Sequence, residues 1–172
     1  MATGENVSET GRAGKYLTFK VANEEYGLEI LKVQEIIGIM TVTRVPKMPD
    51  FVRGVINLRG KVIPVIDLRL KFGIESQEDT EKTCIIVVQI TRDSSQVTTG
   101  VIVDEVSEVL DIEEDQVEDA PLFGESVNTD FILGMGKVGQ KVVMFLDIDK
   151  VLSGGEIEHL DEAPYEVEAD SL

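Results

Sequence analysis

An internal repeat constrains this 172-residue sequence more than any single motif does. Residues 50–68 return eighty positions later as residues 130–148, where an opening Asp-Phe, a glycine, a Lys-Val pair and a closing Asp all recur. Residues 27–37 are matched in the same way by residues 100–110. Self-similarity at a fixed spacing indicates that one small structural unit is used twice.

The repeat predicts the organisation of the whole chain. We expect a first half over residues 15–73, a linker over 74–83 and a second half over 84–153. The polar segments 1–14 and 154–172 lack apolar periodicity and are expected to be mobile tails. Each half is close to the smallest size that folds alone, so the halves are expected to share a surface and form one domain overall. The repeat does not decide whether they exchange strands.

Each half is rich in Val and Ile, which favour β-strands because branched side chains pack well on a pleated surface. Each half opens with an apolar strand, over residues 16–21 or 84–91, and continues through a polar loop into a returning strand. The next segment, 30–39 or 103–112, has an alternation that predicts a strand after a brief turn.

The second part of each half is predicted to hold one helical turn and then a hairpin. Pro49 suits the start of the first turn, and Gly54 and Gly134 suit the left-handed ends of the two turns. The hairpins cross glycine-containing turns at residues 59–60 and 139–140. Four or five short strands around one turn predict an all-β fold of two small closed barrels with short helical turns, because closure removes exposed strand edges.

Two further segments belong to the second half and the C-terminus. The spacer 113–128 is mostly acidic and contains Pro121 and Gly124, so we expect a surface loop. A short C-terminal helix is expected to begin near Asp149 and to recur around residues 156–160.

The net charge of −17 is unevenly distributed. Residues 15–73 hold ten Lys/Arg and six Asp/Glu, residues 74–155 hold five and eighteen, and residues 156–172 add seven acidic residues and no basic one. This balance argues against nucleic-acid binding, which needs cations at the phosphates. It is typical either of a solvated acidic surface or of head-to-tail association between a basic and an acidic half, with copies of the chain or with a homologous module.

The sequence contains no arrangement typical of an enzyme. His159, the only histidine, lies in the acidic tail, which excludes a histidine-based triad in the folded region. We interpret the repeat-equivalent Asp67 and Asp147 as turn or cap residues rather than catalytic carboxylates. Cys84, the only cysteine, heads an apolar strand and is expected to be a small buried hydrophobe. We therefore expect no catalytic residue, cofactor or metal, and interpret the chain as a binding module.

One motif supports a weaker enzymatic alternative. Residues 134–139 match the G-x-G-x-x-G fingerprint of dinucleotide-binding enzymes. That fingerprint needs a strand before it and a helix after it, whereas here a turn precedes and a strand follows. The equivalent residues 54–60 of the first half are a predicted hairpin, so we prefer the same interpretation for residues 134–139.

Several motifs closely resemble the CheW family of chemotaxis coupling proteins. Residues 25–36 read Glu-Tyr-Gly-Leu-Glu-Ile-Leu-Lys-Val-Gln-Glu-Ile, and residues 54–60 read Gly-Val-Ile-Asn-Leu-Arg-Gly. Residues 63–69, Ile-Pro-Val-Ile-Asp-Leu-Arg, and residues 100–106 continue the likeness, which covers about residues 15–153. The Asn-Leu-Arg-Gly run and the Pro-x-x-Asp-Leu-Arg after it are its most specific part.

The resemblance implies two SH3-like five-stranded barrels and a non-catalytic adaptor. Such an adaptor joins the cytoplasmic tip of methyl-accepting chemoreceptors to the regulatory domain of the histidine kinase CheA, and other CheW-like modules are a further class of partner. The implied location is cytoplasmic, with recruitment to membrane-associated receptor arrays but no direct membrane insertion. A coupling protein of a non-motility signalling array is the alternative within the same family.

Site residues are carried over from the resemblance position by position. The positions that look like the receptor-coupling ones are Val33, Glu35, Gly54, Arg59, Val106 and Val109. The positions that look like apolar contacts to the kinase are Val62 and Cys84, although the family more usually has an aliphatic residue in place of the cysteine. Val106 and Val109 are expected to line a groove between the barrels, and Arg59 to be presented to solvent at its hairpin turn.

Overall fold

A computed structural model describes residues 12–75, 78–121 and 129–153, which form two β-sheets. The strands are β1 (Gly14–Val21), β2 (Glu24–Glu29), β3 (Val33–Gly38), β4 (Val52–Leu58), β5 (Lys61–Asp67), β6 (Cys84–Arg92), β7 (Ser95–Val103), β8 (Glu105–Ile112), β9 (Val117–Glu118), β10 (Ile132–Val138) and β11 (Lys141–Leu146). The helices are α1 (Leu68–Lys71) and α2 (Ile148–Val151), and 3-10 turns cover Ile30–Lys32 and Glu114–Gln116. Within these ranges, no helix has both the length and the apolar character needed to cross a bilayer.

The two halves of the sequence exchange their opening hairpins. The six-stranded sheet has the order β8-β1-β2-β11-β10-β9, and the five-stranded sheet has the order β3-β6-β7-β5-β4. The hairpin β1–β2 of the first half therefore joins the later strands of the second half, and β6–β7 joins the later strands of the first half. The two junctions are the parallel pairs β2–β11 and β5–β7. All other strand pairs are antiparallel, and the sheets do not follow the sequence halves.

Three apolar clusters hold the sheets together. The cluster inside the five-stranded sheet contains Ile56, Ile63, Val65, Ile85, Val87 and Ile102. The cluster inside the six-stranded sheet contains Tyr16, Ile112, Val117, Val143 and Phe145. The largest cluster, called here the inter-sheet cluster, includes Leu17, Phe19, Ile86, Val88, Val101, Val103 and Leu146. Neighbouring residues of β6 thus face two different clusters, which explains its uninterrupted apolar run.

A buried ionic cluster ties the two sheets at one end. Arg69 of α1 is only 1% exposed and bonds Asp67 through Nε at 3.0 Å and Asp104 through Nη1 at 3.2 Å. Asp104 lies between β7 and β8 and accepts from the amide of Ala22 in the β1–β2 turn, at 2.7 Å. Asp79 completes the cluster by accepting from Arg53 and from Arg69. A buried guanidinium needs such partners, because an unpaired buried charge is strongly destabilising.

The two repeat-equivalent aspartates are helix caps, as predicted. Asp67 precedes α1 and accepts from the amide of Arg69 at 3.0 Å. Asp147 precedes α2 and accepts from the amide of Lys150 at 3.3 Å. The predicted start of the C-terminal helix near Asp149 is confirmed by α2, whereas its recurrence at 156–160 and the tails 1–11 and 154–172 lie outside the described residues.

The predicted helical turns before β4 and β10 are tight turns only. The amide of Val52 donates to the carbonyl of Pro49 at 3.0 Å, and Ile132 donates to Thr129 at 3.0 Å, but neither turn continues into a helix. A strand begins directly afterwards in both halves. A tight turn closed by one hydrogen bond, from the amide of residue i+3 to the carbonyl of residue i, favours the same residues as the first turn of a helix. The sequence therefore does not distinguish the two structures.

Gly54 and Gly134 do not end helices, contrary to the sequence-based interpretation. Both lie inside strands, β4 and β10, beside register shifts. A Cβ on Gly54 would lie 2.1 Å from the carbonyl oxygen of Thr43, and one on Gly134 would lie 2.3 Å from Cγ1 of Val117. These glycines therefore permit close approach of a neighbouring segment. From the sequence alone, a glycine needed for close approach cannot be told from a glycine that ends a helix.

The acidic spacer is more ordered than predicted. It begins with the 3-10 turn Glu114–Gln116 and the short strand β9, whose Val117 is buried inside the six-stranded sheet. Arg12 bonds Glu114 and Asp119 across this segment at 3.2 and 2.7 Å. The single apolar residue in an acidic run gave too weak a signal for a strand, and residues 122–128 lie outside the described ranges.

Hairpin exchange also changes the predicted charge division. Residues 33–103, which carry the five-stranded sheet, hold nine Lys/Arg and eight Asp/Glu, so this barrel is nearly neutral rather than basic. Residues 14–32 and 105–153, which carry the six-stranded sheet, hold six and fifteen. The acidic barrel is thus confirmed, and the basic one is not.

Candidate functional site

Glu35 and Arg59 form an ion pair that joins the two edges of the five-stranded sheet. Glu35 lies on edge strand β3, and Arg59 lies in the turn between β4 and β5, with β4 at the opposite edge. Arg59 and Gly60 have φ of 51° and 88°, the paired positive values typical of a two-residue hairpin turn. The Arg59 side chain is 65% exposed, so the pair presents a cation and an anion at the surface.

A β-bulge turns Val106 and Val109 toward the same face of the six-stranded sheet. Residues three apart on a regular strand point to opposite faces. Here the register of β1 and β8 shifts between Thr18 and Phe19, so that Val106 pairs with Phe19 and Val109 with Leu17. Directly paired residues share a face, and both partners on β1 belong to the inter-sheet cluster.

The predicted groove residues differ in burial. Val33 at the start of β3 and Val106 are partly buried and both pack against the inter-sheet cluster. Val109 is 50% exposed on the same face as Val106. The structure therefore brings Val33 and Val106 to the rim of one cluster and leaves Val109 open to solvent beside it.

Gly54 is buried, unlike the other positions predicted to couple to a receptor. Thr43 and Val55 form an isolated bridge beside it, with reciprocal amide-to-carbonyl bonds of 2.8 Å. Gly54 has φ of 146°, which L side chains rarely adopt, and a side chain there would collide with Thr43. Its contribution to a binding surface is therefore the path of the backbone, not a side-chain contact.

Val62 and its repeat equivalent Val142 are exposed to nearly the same extent, 50% and 52%. Each is the second residue of a strand that follows a hairpin turn, β5 in one sheet and β11 in the other. The protein therefore exposes a valine at the same position of each barrel, one on the five-stranded sheet and one on the six-stranded sheet.

Cys84 is partly exposed rather than buried as predicted, because it starts β6 where the sheet meets the linker. Its thiol donates to the carbonyl of Lys82 at 3.1 Å. Burial raises the pKa of the Cys84 thiol above its usual range, an effect opposed by a bond from the backbone of Val106. A raised pKa is typical of an unreactive thiol. Cys84 thus lies beside Val106 and is separated from Val62 by strand β7.

Residues 134–139 do not form a nucleotide loop. Gly134 and Gly136 lie within β10, and Gly139 occupies the turn that leads to β11. A Cβ on Gly136 would lie 2.7 Å from the ring of Phe145, so this glycine makes room for the core. The strand–turn–strand geometry lacks the helix that the dinucleotide fingerprint requires, so residues 134–139 are not a dinucleotide site.

The sequence did not single out Leu31 or Thr18. Leu31 is 94% exposed in the 3-10 turn that leads into β3. Its apolar neighbours made it look like part of a buried segment, and no sequence signal indicates otherwise. Thr18 is buried and bonds both backbone groups of Glu108 at the bulge. The equivalence of Val142 to Val62 was readable from the repeat.

Comparison with known proteins gives a consistent result. The family model described as the CheW-like domain matches residues 15–156. The chain is 40% identical over 158 residues to the chemotaxis protein CheW of Klebsiella aerogenes, which covers 92% of this chain and 90% of that protein. It is 32% identical over 151 residues to the chemotaxis protein CheW of Helicobacter pylori, with 88% of each chain covered.

A solved structure shares the fold. The crystal structure of the scaffolding protein TtCheW from Thermoanaerobacter tengcongensis matches with a TM-score of 0.72 and 35% sequence identity, covering 84% of this chain and 95% of that one. The family match spans both sheets and every candidate residue described above. The chain therefore belongs to the CheW family and is a coupling adaptor of chemotaxis signalling.

Proposed function

We propose that this chain couples methyl-accepting chemoreceptors to the histidine kinase CheA, and that it does so without catalytic activity of its own. The observation that carries the proposal is the orientation of Val106 and Val109, which the bulge in β8 turns toward one face beside the inter-sheet cluster. An adaptor needs an apolar surface of this kind at which a partner can displace water.

The receptor surface consists of an apolar floor and a charged rim. Val33, Val106 and Val109 form the floor, and the Glu35–Arg59 pair forms the rim. The cytoplasmic tip of a chemoreceptor is a helical hairpin, which would lay its apolar positions on such a floor. Gly54 supports this surface indirectly, because it keeps the backbone beside Thr43 in place.

The kinase surface is centred on Val62, with Cys84 as a second apolar contact. Val62 is half exposed on the five-stranded sheet, where charges of both signs are nearly balanced. A contact with the regulatory domain of CheA would bury this side chain, and full burial of a valine contributes about 1.5–3 kcal/mol. In this proposal the kinase surface at Val62 is separate from the receptor floor, which allows both partners to bind at once, and Cys84, which lies beside Val106, is where the two surfaces meet.

The chain acts as one functional domain in this proposal. Each sheet takes strands from both halves, so neither residues 15–73 nor residues 84–153 contain a complete sheet. The adaptor reaches the receptor array at the cytoplasmic side of the membrane through its two partners rather than through a membrane segment. Other CheW-like modules remain a further class of partner.

A reconstitution tests the proposed function. The purified chain is mixed with vesicles that carry chemoreceptor cytoplasmic fragments and with the CheA regulatory domain, first separately and then together. We expect the chain to sediment with the receptor vesicles, to bind the kinase domain in solution, and to bring the kinase domain into the vesicle pellet. Failure of the kinase domain to reach the pellet in the presence of the chain would contradict the proposal.

A further inference from the structure

A cleft of about 520 Å³ lies away from the surfaces described above. Its wall contains the rings of Tyr26, Phe72 and Phe131, with centroids 5.3 Å apart for the first two and 6.1 Å apart for the last two. This volume is in the range of sites that bind small ligands or a few side chains. The proposed function uses none of these rings.

Two cations at the rim of the cleft lack an anionic partner. Lys71 and Lys150 both line it, and neither ammonium group pairs with a carboxylate among the described residues. Lys71 instead lies over the ring of Phe51, with Nζ 4.4 Å from the ring centroid. The cleft thus combines an apolar floor with two available positive charges, Lys71 from α1 after the five-stranded sheet and Lys150 from α2 after the six-stranded sheet.

A third polar group in the cleft is also without a protein partner. Tyr26 is only 7% exposed, and its hydroxyl makes no hydrogen bond to the part of the chain that the structure describes. Burial raises the pKa of Tyr26 above its usual range, so the hydroxyl stays protonated and is a donor. A buried donor usually has an acceptor, and a carboxylate would provide one.

The chain itself supplies a segment with the matching chemistry. Val151 and Ser153 line the cleft, and residues 154–172 follow directly. That segment opens with two glycines, contains seven acidic and no basic residues, and carries its first apolar side chains at Ile157 and Leu160. Glycine permits a sharp reversal of the chain, and the four residues from Ser153 to Ile157 span at most about 13 Å, so the segment starts within reach of the floor.

We infer that this cleft binds the acidic C-terminal segment of the same chain, residues 154–172. The segment's apolar residues Ile157 and Leu160 match the rings of Tyr26, Phe72 and Phe131 in chemistry, and its carboxylates are suitable partners for Lys71, Lys150 and the Tyr26 hydroxyl. The segment is then an intramolecular ligand of this cationic apolar cleft. This inference is independent of the proposed function.

Fluorescence of a single tryptophan tests the inference in the 172-residue chain. The natural chain has no tryptophan, so Leu160→Trp supplies the sole reporter. We expect blue-shifted emission and an acrylamide quenching constant several-fold below that of a synthetic peptide of residues 154–172 with the same substitution. Tyr165→Trp is a second reporter, in case the larger ring at position 160 does not fit. Solvated emission from both reporters would overturn the inference.

Charge reversal at the rim supplies the matched control. Lys71→Glu with Lys150→Glu should shift the emission of the reporter to that of the free peptide. The same change at Lys47 and Lys61, two exposed lysines outside this cleft, should leave it unchanged. Thermal unfolding followed by circular dichroism verifies that each variant still folds. Protection that survives the Lys71 and Lys150 changes, or that disappears on dilution because the occupant is a second copy, would overturn the inference.

Discussion

The hydroxyl of Thr18 bonds both backbone groups of Glu108 on the neighbouring strand: it donates to the carbonyl oxygen at 2.9 Å and accepts from the amide at 3.1 Å. The bulge between β1 and β8 begins at this point. A bulge leaves backbone groups without ladder partners, and a buried side chain that satisfies them fixes where the bulge forms. The shared orientation of Val106 and Val109 therefore depends on Thr18.

Replacing Thr18 by valine should weaken both the fold and receptor binding. Valine keeps the shape but removes the hydroxyl, and leaving two partly buried backbone groups of Glu108 unpaired costs about 1 kcal/mol. Urea unfolding measures the loss of stability, and receptor-vesicle sedimentation measures binding. Thr18→Ser, which keeps the hydroxyl, is the matched control and should bind the receptor normally. Equal binding by both variants would show that the bulge does not set the receptor surface.

Gly54→Ala should destabilise the protein by about 3 kcal/mol, since strained backbone alone costs roughly 1–3 kcal/mol and the new Cβ would also collide with Thr43. The relevant contact is 2.1 Å, to a backbone oxygen that cannot move aside without breaking the Thr43–Val55 bridge. Gly60→Ala is the matched control, because φ is positive there as well but no atom lies within 4 Å of the new Cβ. Comparable losses of unfolding free energy in the two variants would argue against the crowding at Gly54.

Asp79→Asn should reduce the dependence of stability on acid pH. The hydrogen bond from Arg53 holds the pKa of the Asp79 carboxyl below its usual range. A carboxylate with a lowered pKa in the folded state contributes stability above its unfolded pKa of about 3.9, and this contribution is lost as pH falls through the folded pKa. Urea unfolding between pH 6 and the acid limit should show a shallower decline in the variant. If the free energy of unfolding declined equally steeply with falling pH in both proteins, the lowered pKa of Asp79 would be contradicted.

Exchanging the charges of Glu35 and Arg59 separates a role inside the barrel from a role in binding. Arg59→Glu alone should impair receptor binding while changing stability by no more than about 1 kcal/mol, as is usual for an exposed ion pair. The double variant Glu35→Arg with Arg59→Glu restores an ion pair of opposite polarity. If the receptor contacts these charges directly, the double variant still binds the receptor weakly. Recovery of receptor binding would show that the pair acts only by closing the barrel.

The sequence predicted the local elements better than their assembly. The hairpin at Arg59-Gly60 and the caps at Asp67 and Asp147 were readable because turn and cap chemistry is local. The exchange of hairpins was not readable, because β1–β2 and β6–β7 are repeat-equivalent and both have an apolar face, and only packing across the sheets decides which partner each one joins. Gly54 and Gly134 were misread for a similar reason, since the crowding that requires them comes from distant segments.

The candidate site was predictable as a set of positions but not as a surface. The family resemblance indicated Val106 and Val109, yet their spacing of three residues on a strand would put them on opposite faces without the bulge. The pairing of Arg59 with Glu35 and the half exposure of Val62 likewise depend on how the sheet closes. Leu31 has apolar neighbours in the sequence, which predict burial, so no sequence pattern indicated that it is exposed.

The central claim is that receptor binding and kinase binding can each be removed by a substitution that leaves the other intact. One binding assay measures this directly. Binding of the receptor vesicles and of the CheA regulatory domain is titrated for Arg59→Glu, Val62→Asp and, as the repeat-equivalent control, Val142→Asp. We predict that Arg59→Glu loses receptor binding and keeps the kinase domain, that Val62→Asp does the reverse, and that Val142→Asp keeps both. Loss of both partners in either folded variant, or of neither, would contradict the account of two separate binding surfaces on one adaptor.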